Sequence, residues 1–183
     1  ALRLLGMSLD ALGLPAEALQ ALDRALSLDK RNAATHANRG QVLRALGRLD
    51  EAAAALGRAV SLGLREAGTE LGRVEQARGR SQEATRAFAV AVGTGRPAVL
   101  ALLDHLATVP EPPADLAEAY LAAWATEGVD HTLLDRAAER VLEPLRTQPA
   151  RLAVHPVALA WLRGGTVHQP AWEAAFVAAR AWL

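Results

Sequence analysis

The chain of 183 residues contains 20 basic and 20 acidic residues, so its formal net charge is zero, and 51% of its residues are hydrophobic. A neutral chain has no global field that attracts nucleic acid or an anionic membrane, and we expect neither as a partner. The sequence has no cysteine, which excludes disulfides, thiolate metal sites and cysteine nucleophiles.

The first half of the chain repeats its own pattern. A glycine is followed four residues later by Glu-Ala, and then by a large apolar residue and an alanine. The series that begins at Gly47 also occurs 34 residues earlier and 32 residues later. The equivalent residues are Gly13, Glu17, Ala18, Leu22 and Ala25, then Gly47, Glu51, Ala52, Leu56 and Ala59, then Gly79, Glu83, Ala84, Phe88 and Ala91. Such a period is typical of a helical repeat array. We therefore predict an all-α superhelix of three helix pairs over residues 1–95.

Small and large residues alternate at helical spacing within each pair. The first helices carry equivalent glycines that allow the paired helix to approach closely, at Gly6, Gly40 and Gly72. The large residues Leu22, Leu56 and Phe88 are predicted to fill the space between units. Asn32 is predicted to cap the first helix of the second pair, and Asp50 and Ser81 are predicted to cap the second helices that follow them.

This arrangement resembles the tetratricopeptide repeat. The Leu-Gly pair of that family occurs as Leu5-Gly6 and Leu71-Gly72, with Arg39-Gly40 as a variant. The resemblance implies a superhelical scaffold that binds a protein or peptide. One departure is Glu75, a charged residue on a row that the family usually buries.

The resemblance also implies a binding site, because the first helices line the concave face of such an array. The residues that would contact a partner are Arg3, Met7, Asp10, Asn38, Gln41, Arg44, Glu70 and Arg73. Arginine offers a bidentate fork to a carboxylate, and asparagine offers a donor and an acceptor to a peptide backbone. An ordinary solvated helix face is the alternative interpretation. Glu66 and Glu70 stand where chaperone-binding members carry basic residues, so a ligand of basic or mixed charge is favoured.

The second half of the chain differs in composition, because it holds eight of the nine prolines and all four tryptophans. Amphipathic patterns predict further helices at about 98–108, 114–127, 131–147, 156–163 and 171–183. Pro144 should kink or end the third of these helices. We predict that region 96–183 is an α-helical bundle packed on the repeats, with the tryptophans in its core and Phe88 against the helix at 99–106.

No catalytic or metal-binding set is recognisable in the sequence. The four histidines of the second half are not paired at a spacing of three or four residues, and no serine lies in a Gly-x-Ser-x-Gly elbow. The single lysine, Lys30, lies in a turn without glycine, which excludes a phosphate-binding loop. We therefore predict no cofactor, no metal and no enzyme activity for this segment.

Two functions remain open. The first is a cytoplasmic protein-interaction scaffold, part of a larger bacterial protein, since the arginine-rich, isoleucine-free composition is typical of GC-rich genomes and no stretch is apolar enough for a membrane span. The second is the non-catalytic helical arm of a larger bacterial enzyme. An S-adenosylmethionine-dependent methyltransferase is the leading candidate, because roughly the last 30 residues resemble the segment between repeats and a methyltransferase domain in some bacterial fusions.

Overall fold

The computed structural model describes residues 1–106, 108–109, 116–126, 128–153, 155, 157–159, 161 and 170–181. Over these residues the chain forms α-helices and short 3-10 helices joined by turns, and it contains no strand. The all-α prediction is therefore confirmed. The chain divides into two compact units, Ala1–Thr94 and Gly95–Leu183.

The first unit is a series of three helix pairs, as the repeated sequence pattern predicts. Its helices are α1 (Leu2–Ala11), α2 (Pro15–Leu28), α3 (Ala33–Ala45), α4 (Leu49–Ser61), α5 (Ala67–Ala77) and α6 (Ser81–Ala91), followed by a 3-10 turn at Val92–Thr94. Each helix packs on the next along the chain, so the second helix of one pair covers the first helix of the following pair. The apolar core thus runs from pair to pair.

A glycine in the left-handed conformation closes the turn inside each pair. The backbone angle φ is 75° at Gly13 and 73° at both Gly47 and Gly79. The amide of Gly47 donates to the carbonyl of Arg44 at 2.9 Å, and that of Gly79 donates to Gln76 at the same distance. Residues with a Cβ rarely adopt this conformation. The recurring glycine is therefore a requirement of the backbone.

The close approach of paired helices is also confirmed. A Cβ added at Gly40 would lie 2.5 Å from Cγ of Leu56, and one added at Gly72 would lie 2.6 Å from Cδ1 of Phe88. Gly6 is in the same situation. Because the glycines leave this space, Leu56 and Phe88 are buried within their own pairs.

The predicted helix caps are partly wrong. Asn32 caps α3 with its side-chain oxygen, as expected. The N-caps of α4 and α6 are instead Arg48 and Arg80, and neither makes a side-chain capping bond. Each of these helices begins two residues after the turn glycine. Asp50 is consequently the second helical residue of α4, and Ser81 is the first helical residue of α6, so neither can occupy the cap.

The second unit contains α7 (Arg96–Leu106), α8 (Ala117–Trp124), α9 (His131–Leu142), α10 (Pro149–Ala153) and α11 (Pro170–Arg180). Residues 157–159 and 161 are also helical. The α-helix α9 ends at Leu142, and Pro144 lies in the 3-10 helix Glu143–Leu145, so the early end predicted there is confirmed. The short helix α10 was not predicted. The predicted break at 164–165 and residue 182 lie outside the described residues.

Three aromatic side chains form one part of the core of the second unit, at α11. The ring centroids of Trp161 and Trp172 are 5.5 Å apart, and those of Trp161 and Phe176 are also 5.5 Å apart, both in edge-to-face arrangements. The indole Nε1 of Trp161 donates to Oδ1 of Asp135 at 2.8 Å. The core position predicted for these two tryptophans is confirmed.

Two further expectations concern the junction between the units. They are the contact of Phe88 with the helix at 99–106 and the packing of region 96–183 on the repeats. Both stay predictions.

Candidate functional site

The first helices α1, α3 and α5 carry the residues that the sequence suggests for partner binding. Equivalent positions form three rows from repeat to repeat, and we call these rows the first-helix face: Leu4, Asn38 and Glu70; Met7, Gln41 and Arg73; Asp10, Arg44 and Gln76. Within one helix the rows are three residues apart, so their members are neighbours on its surface. Helix α3 packs beside both α1 and α5, which makes the rows continuous. Arg3 lies next to this face on α1.

Three charged residues of the face form a cluster that joins α3 to α5. Nε of Arg44 lies 3.5 Å from Oε2 of Glu70, and Nη1 of Arg73 donates to Oε1 of the same carboxylate. The side chain of Glu70 is only 20% exposed, whereas those of Arg44 and Arg73 are 48% and 55% exposed. Two guanidinium groups therefore neutralise Glu70 and keep donors open to solvent. Glu70 therefore adds little negative charge to the face, although its place in the sequence favoured a ligand of basic or mixed charge.

Asn38 supplies an unused donor on the same face. Its side-chain Nδ2 is buried and has no hydrogen-bond partner among the described residues. Oε2 of Glu70, in the same row one repeat later, is also buried, and its 3.5 Å contact with Arg44 lacks hydrogen-bond geometry. A buried donor without an acceptor costs about 1–3 kcal/mol. An acceptor oxygen from a ligand would remove this penalty at Asn38.

The remaining predicted residues lie on or beside the face with less specific surroundings. Nη1 of Arg3 approaches Sδ of Met7 at 3.1 Å within α1, and Met7 is exposed. Gln41 is exposed and Asp10 is half-buried. The structure therefore brings together Arg44, Glu70 and Arg73 in one group and Arg3 with Met7 in another.

A sequence comparison identifies the repeated unit. The tetratricopeptide repeat family model matches residues 2–32 and 33–62, the two segments that form α1–α2 and α3–α4. This part of the chain belongs to the tetratricopeptide repeat family. Such repeats generally mediate protein–protein interaction and are typically non-catalytic. No curated protein matches the chain.

The third helix pair repeats the construction of the two matched pairs, although it lies beyond the matched residues. It keeps the left-handed turn glycine Gly79, the close-approach glycine Gly72 and the buried large residue Phe88. Helix α5 packs on α4 as α3 packs on α2. Unit one thus contains three repeats of the same construction.

The sequence pattern did not predict an ion-pair network in the third helix pair. Glu75 is buried on the row that the family usually fills with an apolar residue. Its two carboxylate oxygens accept from Nη1 of Arg78 at 2.8 and 2.9 Å, and Nη2 of Arg78 donates to Asp50 of α4 at 2.7 Å. The sequence did contain a signal for this pair, because Arg78 follows Glu75 by three residues and therefore lies beside it on the helix surface. This network lies outside the three rows, so we assign it a structural role.

The described residues contain no group of three or more histidine, cysteine, aspartate or glutamate side chains that could hold a metal ion. Among these residues, no helix has the length and hydropathy of a membrane span. In the second unit, burial and then the charge of Arg151 lower the pKa of His155. Its Nδ1 is buried and has no hydrogen-bond partner in the described part of the chain.

Proposed function

We propose that the tetratricopeptide array binds a segment of a partner protein along the first-helix face, and that this segment carries charges of both signs. The observation that carries the proposal is the buried Nδ2 donor of Asn38, which lies in a row beside the exposed guanidinium groups of Arg44 and Arg73. A polar group buried without a partner is uncommon in a folded protein and calls for an explanation, and an acceptor supplied by a ligand, reached after a small movement of the side chain, is the explanation proposed for Asn38.

The charges of the face suggest how such a segment would be oriented. Asp10 lies in the first repeat, whereas Arg44 and Arg73 lie in the second and third repeats around the neutralised Glu70. A basic residue of the segment would pair with Asp10, and an acidic residue would accept from the two guanidinium groups. A backbone carbonyl between them would accept from Asn38. This assignment supports a peptide ligand of mixed charge.

Binding to a peptide array tests the proposal. Each candidate peptide is presented on the array in forward and in reversed order. For the peptides that bind, fluorescence anisotropy then gives the affinity of the parent chain and of Asn38→Ala, Arg44→Ala and Arg73→Ala. We expect a loss of about 10-fold for each variant, because each removes a hydrogen bond or a charged contact. Arg24→Ala, an exposed arginine on α2, is the matched control and should leave binding unchanged.

Unchanged affinity in all three variants would move the site away from the first-helix face. Equal binding of forward and reversed peptides would contradict the proposed orientation.

The alternative of a non-catalytic arm of a larger enzyme stays a prediction, as do the bacterial origin and the cytoplasmic location. The enzyme-arm alternative depends on the last part of the chain, where residues 162–169 and 182–183 lie outside the described ranges. The reading frame after Leu183 tests it. A strand followed by a glycine-rich turn would favour a methyltransferase domain, and a stop codon within a few residues would exclude one.

A further inference from the structure

The cluster of Arg44, Glu70 and Arg73 on the first-helix face carries two positive charges and one negative charge. Glu70 cancels one of the two positive charges, so the cluster keeps a single net positive charge. The two guanidinium groups come from neighbouring first helices, α3 and α5, and each is about half exposed. An anion that approaches this part of the face from solvent therefore meets one uncompensated charge.

Most hydrogen-bond donors of the cluster remain available to a ligand. Arg73 uses Nη1 for Oε1 of Glu70. The guanidinium group of Arg44 makes no hydrogen bond with a described residue, since the 3.5 Å separation of its Nε from Oε2 of Glu70 lacks hydrogen-bond geometry. A guanidinium group has several N–H donors and binds a carboxylate with two of them at once. The outward donors can therefore bind a carboxylate while Glu70 stays in place.

The fold does not require a carboxylate at residue 70. The equivalent residue of the second repeat is Asn38, a neutral side chain that is also partly buried. An ion pair with an exposed partner contributes little to stability, because water screens its charges. The negative charge of Glu70 is therefore better explained by what the face binds than by the stability of α5.

We propose that Glu70 determines the charge selectivity of the first-helix face, so that the cluster favours a partner segment with a single carboxylate at this place. The first carboxylate makes the cluster neutral, and a second acidic group beside it gains no attraction. Without the charge of Glu70 the cluster would attract two acidic groups. The three rows of the face contain no basic residue besides Arg44 and Arg73. This inference rests on the proposed function and names the group that the segment presents to the two arginines.

Titration of the full chain with acetate and with succinate, at neutral pH and constant ionic strength, tests the cluster without any peptide. The Nε–Hε signals of Arg44 and Arg73 in NMR spectra report binding, and Arg44→Gln and Arg73→Gln identify them. The parent should bind the two anions with Kd values within about 3-fold of each other, because one carboxylate neutralises the cluster. Glu70→Gln should bind succinate about 10-fold more tightly than the parent does.

Glu83→Gln is the matched control, because it removes the same charge from an exposed residue of α6, and it should bind both anions as the parent does. Glu70→Asn introduces the side chain of the equivalent position in α3 and should behave as Glu70→Gln does. Circular dichroism verifies that each variant is folded. Equal succinate affinity of the parent and the Glu70 variants overturns the proposal. A parent that prefers succinate about 10-fold or more, or whose arginine signals respond to neither anion, overturns it as well.

The peptide array provides a second test. The peptides that bind Glu70→Gln should shift toward those with two adjacent acidic residues, whereas the parent should select a single acidic residue. Peptides with free and with amidated C termini distinguish a terminal carboxylate from a side-chain carboxylate. An unchanged acidic preference in Glu70→Gln contradicts only the role of Glu70. Peptide binding that is insensitive to Asn38→Ala, Arg44→Ala and Arg73→Ala contradicts the proposed function, whereas the titration with acetate and succinate still measures the cluster.

Discussion

Gly6, Gly40 and Gly72 determine how closely the two helices of each pair approach. At all three glycines, a Cβ would come within 3 Å of the large side chain on the paired helix. Helix propensity alone favours alanine over glycine by about 1 kcal/mol. The contact with the large residue opposes that preference, and the balance of the two effects can be measured.

We expect Gly40→Ala to destabilise the first unit. The added Cβ would lie 2.5 Å from Cγ of Leu56 and 3.2 Å from the carbonyl oxygen of Ala52, so the two helices must separate. Overpacking of this kind costs about 1–3 kcal/mol. Gly57→Ala is the control, because nothing lies within 4 Å of its Cβ, and it should stabilise the chain by about 0.5–1 kcal/mol. Urea unfolding followed by circular dichroism measures both, and equal stabilisation by the two variants would contradict this account.

The buried pair of Glu75 and Arg78 supports the third repeat as long as both partners are present. The side chains of Glu75 and Arg78 are 10% and 13% exposed, so the carboxylate depends on the guanidinium for its hydrogen bonds. Removing one partner of a buried pair leaves an uncompensated charge, whereas replacing both by apolar residues is often neutral.

We expect Arg78→Met to lower the free energy of unfolding by about 3 kcal/mol. The double variant Glu75→Leu with Arg78→Met should recover most of this loss. Arg48→Met removes the exposed pair with Glu51 and should cost less than about 1 kcal/mol. Chemical denaturation of the four proteins gives the comparison. A double variant as unstable as Arg78→Met alone would show that the damage comes from lost packing.

At the scale of the element, the helices of the first unit begin in different ways. Asn32 caps α3, since its Oδ1 accepts from the backbone N–H of Thr35 at 3.0 Å and from the hydroxyl of Thr35 at 2.9 Å. The N-cap residues of the other five helices make no side-chain capping bond. Helix α3 is therefore the one helix of this unit whose start depends on a capping side chain.

We expect Asn32→Ala to destabilise the first unit by about 1 kcal/mol, because a backbone donor of α3 loses its acceptor. Arg80→Ala changes the N-cap residue of α6, where no capping bond exists, and should stay within about 0.5 kcal/mol of the parent. Thermal unfolding monitored at 222 nm measures both variants. A loss of equal size in Arg80→Ala would mean that the effect does not come from the capping bond.

At the scale of the whole molecule, the two units can be followed by different probes. All four tryptophans lie in the second half of the chain, so tryptophan fluorescence reports the second unit, whereas circular dichroism reports helices in both. The pKa of His155, also in the second unit, lies below its ordinary value of 6.5, first because of burial and then because of Arg151.

The second unit should therefore lose stability as the pH falls through 6.5. Below this pH the unfolded chain takes up a proton at residue 155 and the folded chain does not, so the free energy of unfolding decreases until the lower folded pKa is reached. Urea unfolding followed by tryptophan fluorescence at pH 7.5, 6.5 and 5.5 measures the decrease. The decrease should be smaller in His155→Gln than in the parent. An identical pH dependence in the two proteins would rule out His155 as the cause.

The sequence by itself determined the repeat architecture of the first unit. The left-handed turns at Gly13, Gly47 and Gly79 and the close contacts at Gly40 and Gly72 each depend on one residue type at one place, and they recur in the sequence. Helix pairs of this kind are made by contacts between residues that are close along the chain, which is why a pattern along the sequence is sufficient to predict them. The rows of the candidate site follow from the same periodicity.

The tertiary structure decided how the side chains on these helices are paired and covered. Arg44 reaches Glu70 and Arg78 reaches Asp50 across neighbouring repeats, so the charge that each presents depends on packing between repeats. The burial of the Asn38 amide also depends on packing between repeats, because α3 lies between α1 and α5. A sequence pattern predicts which side of a helix a residue occupies, and only the packed structure shows what lies opposite.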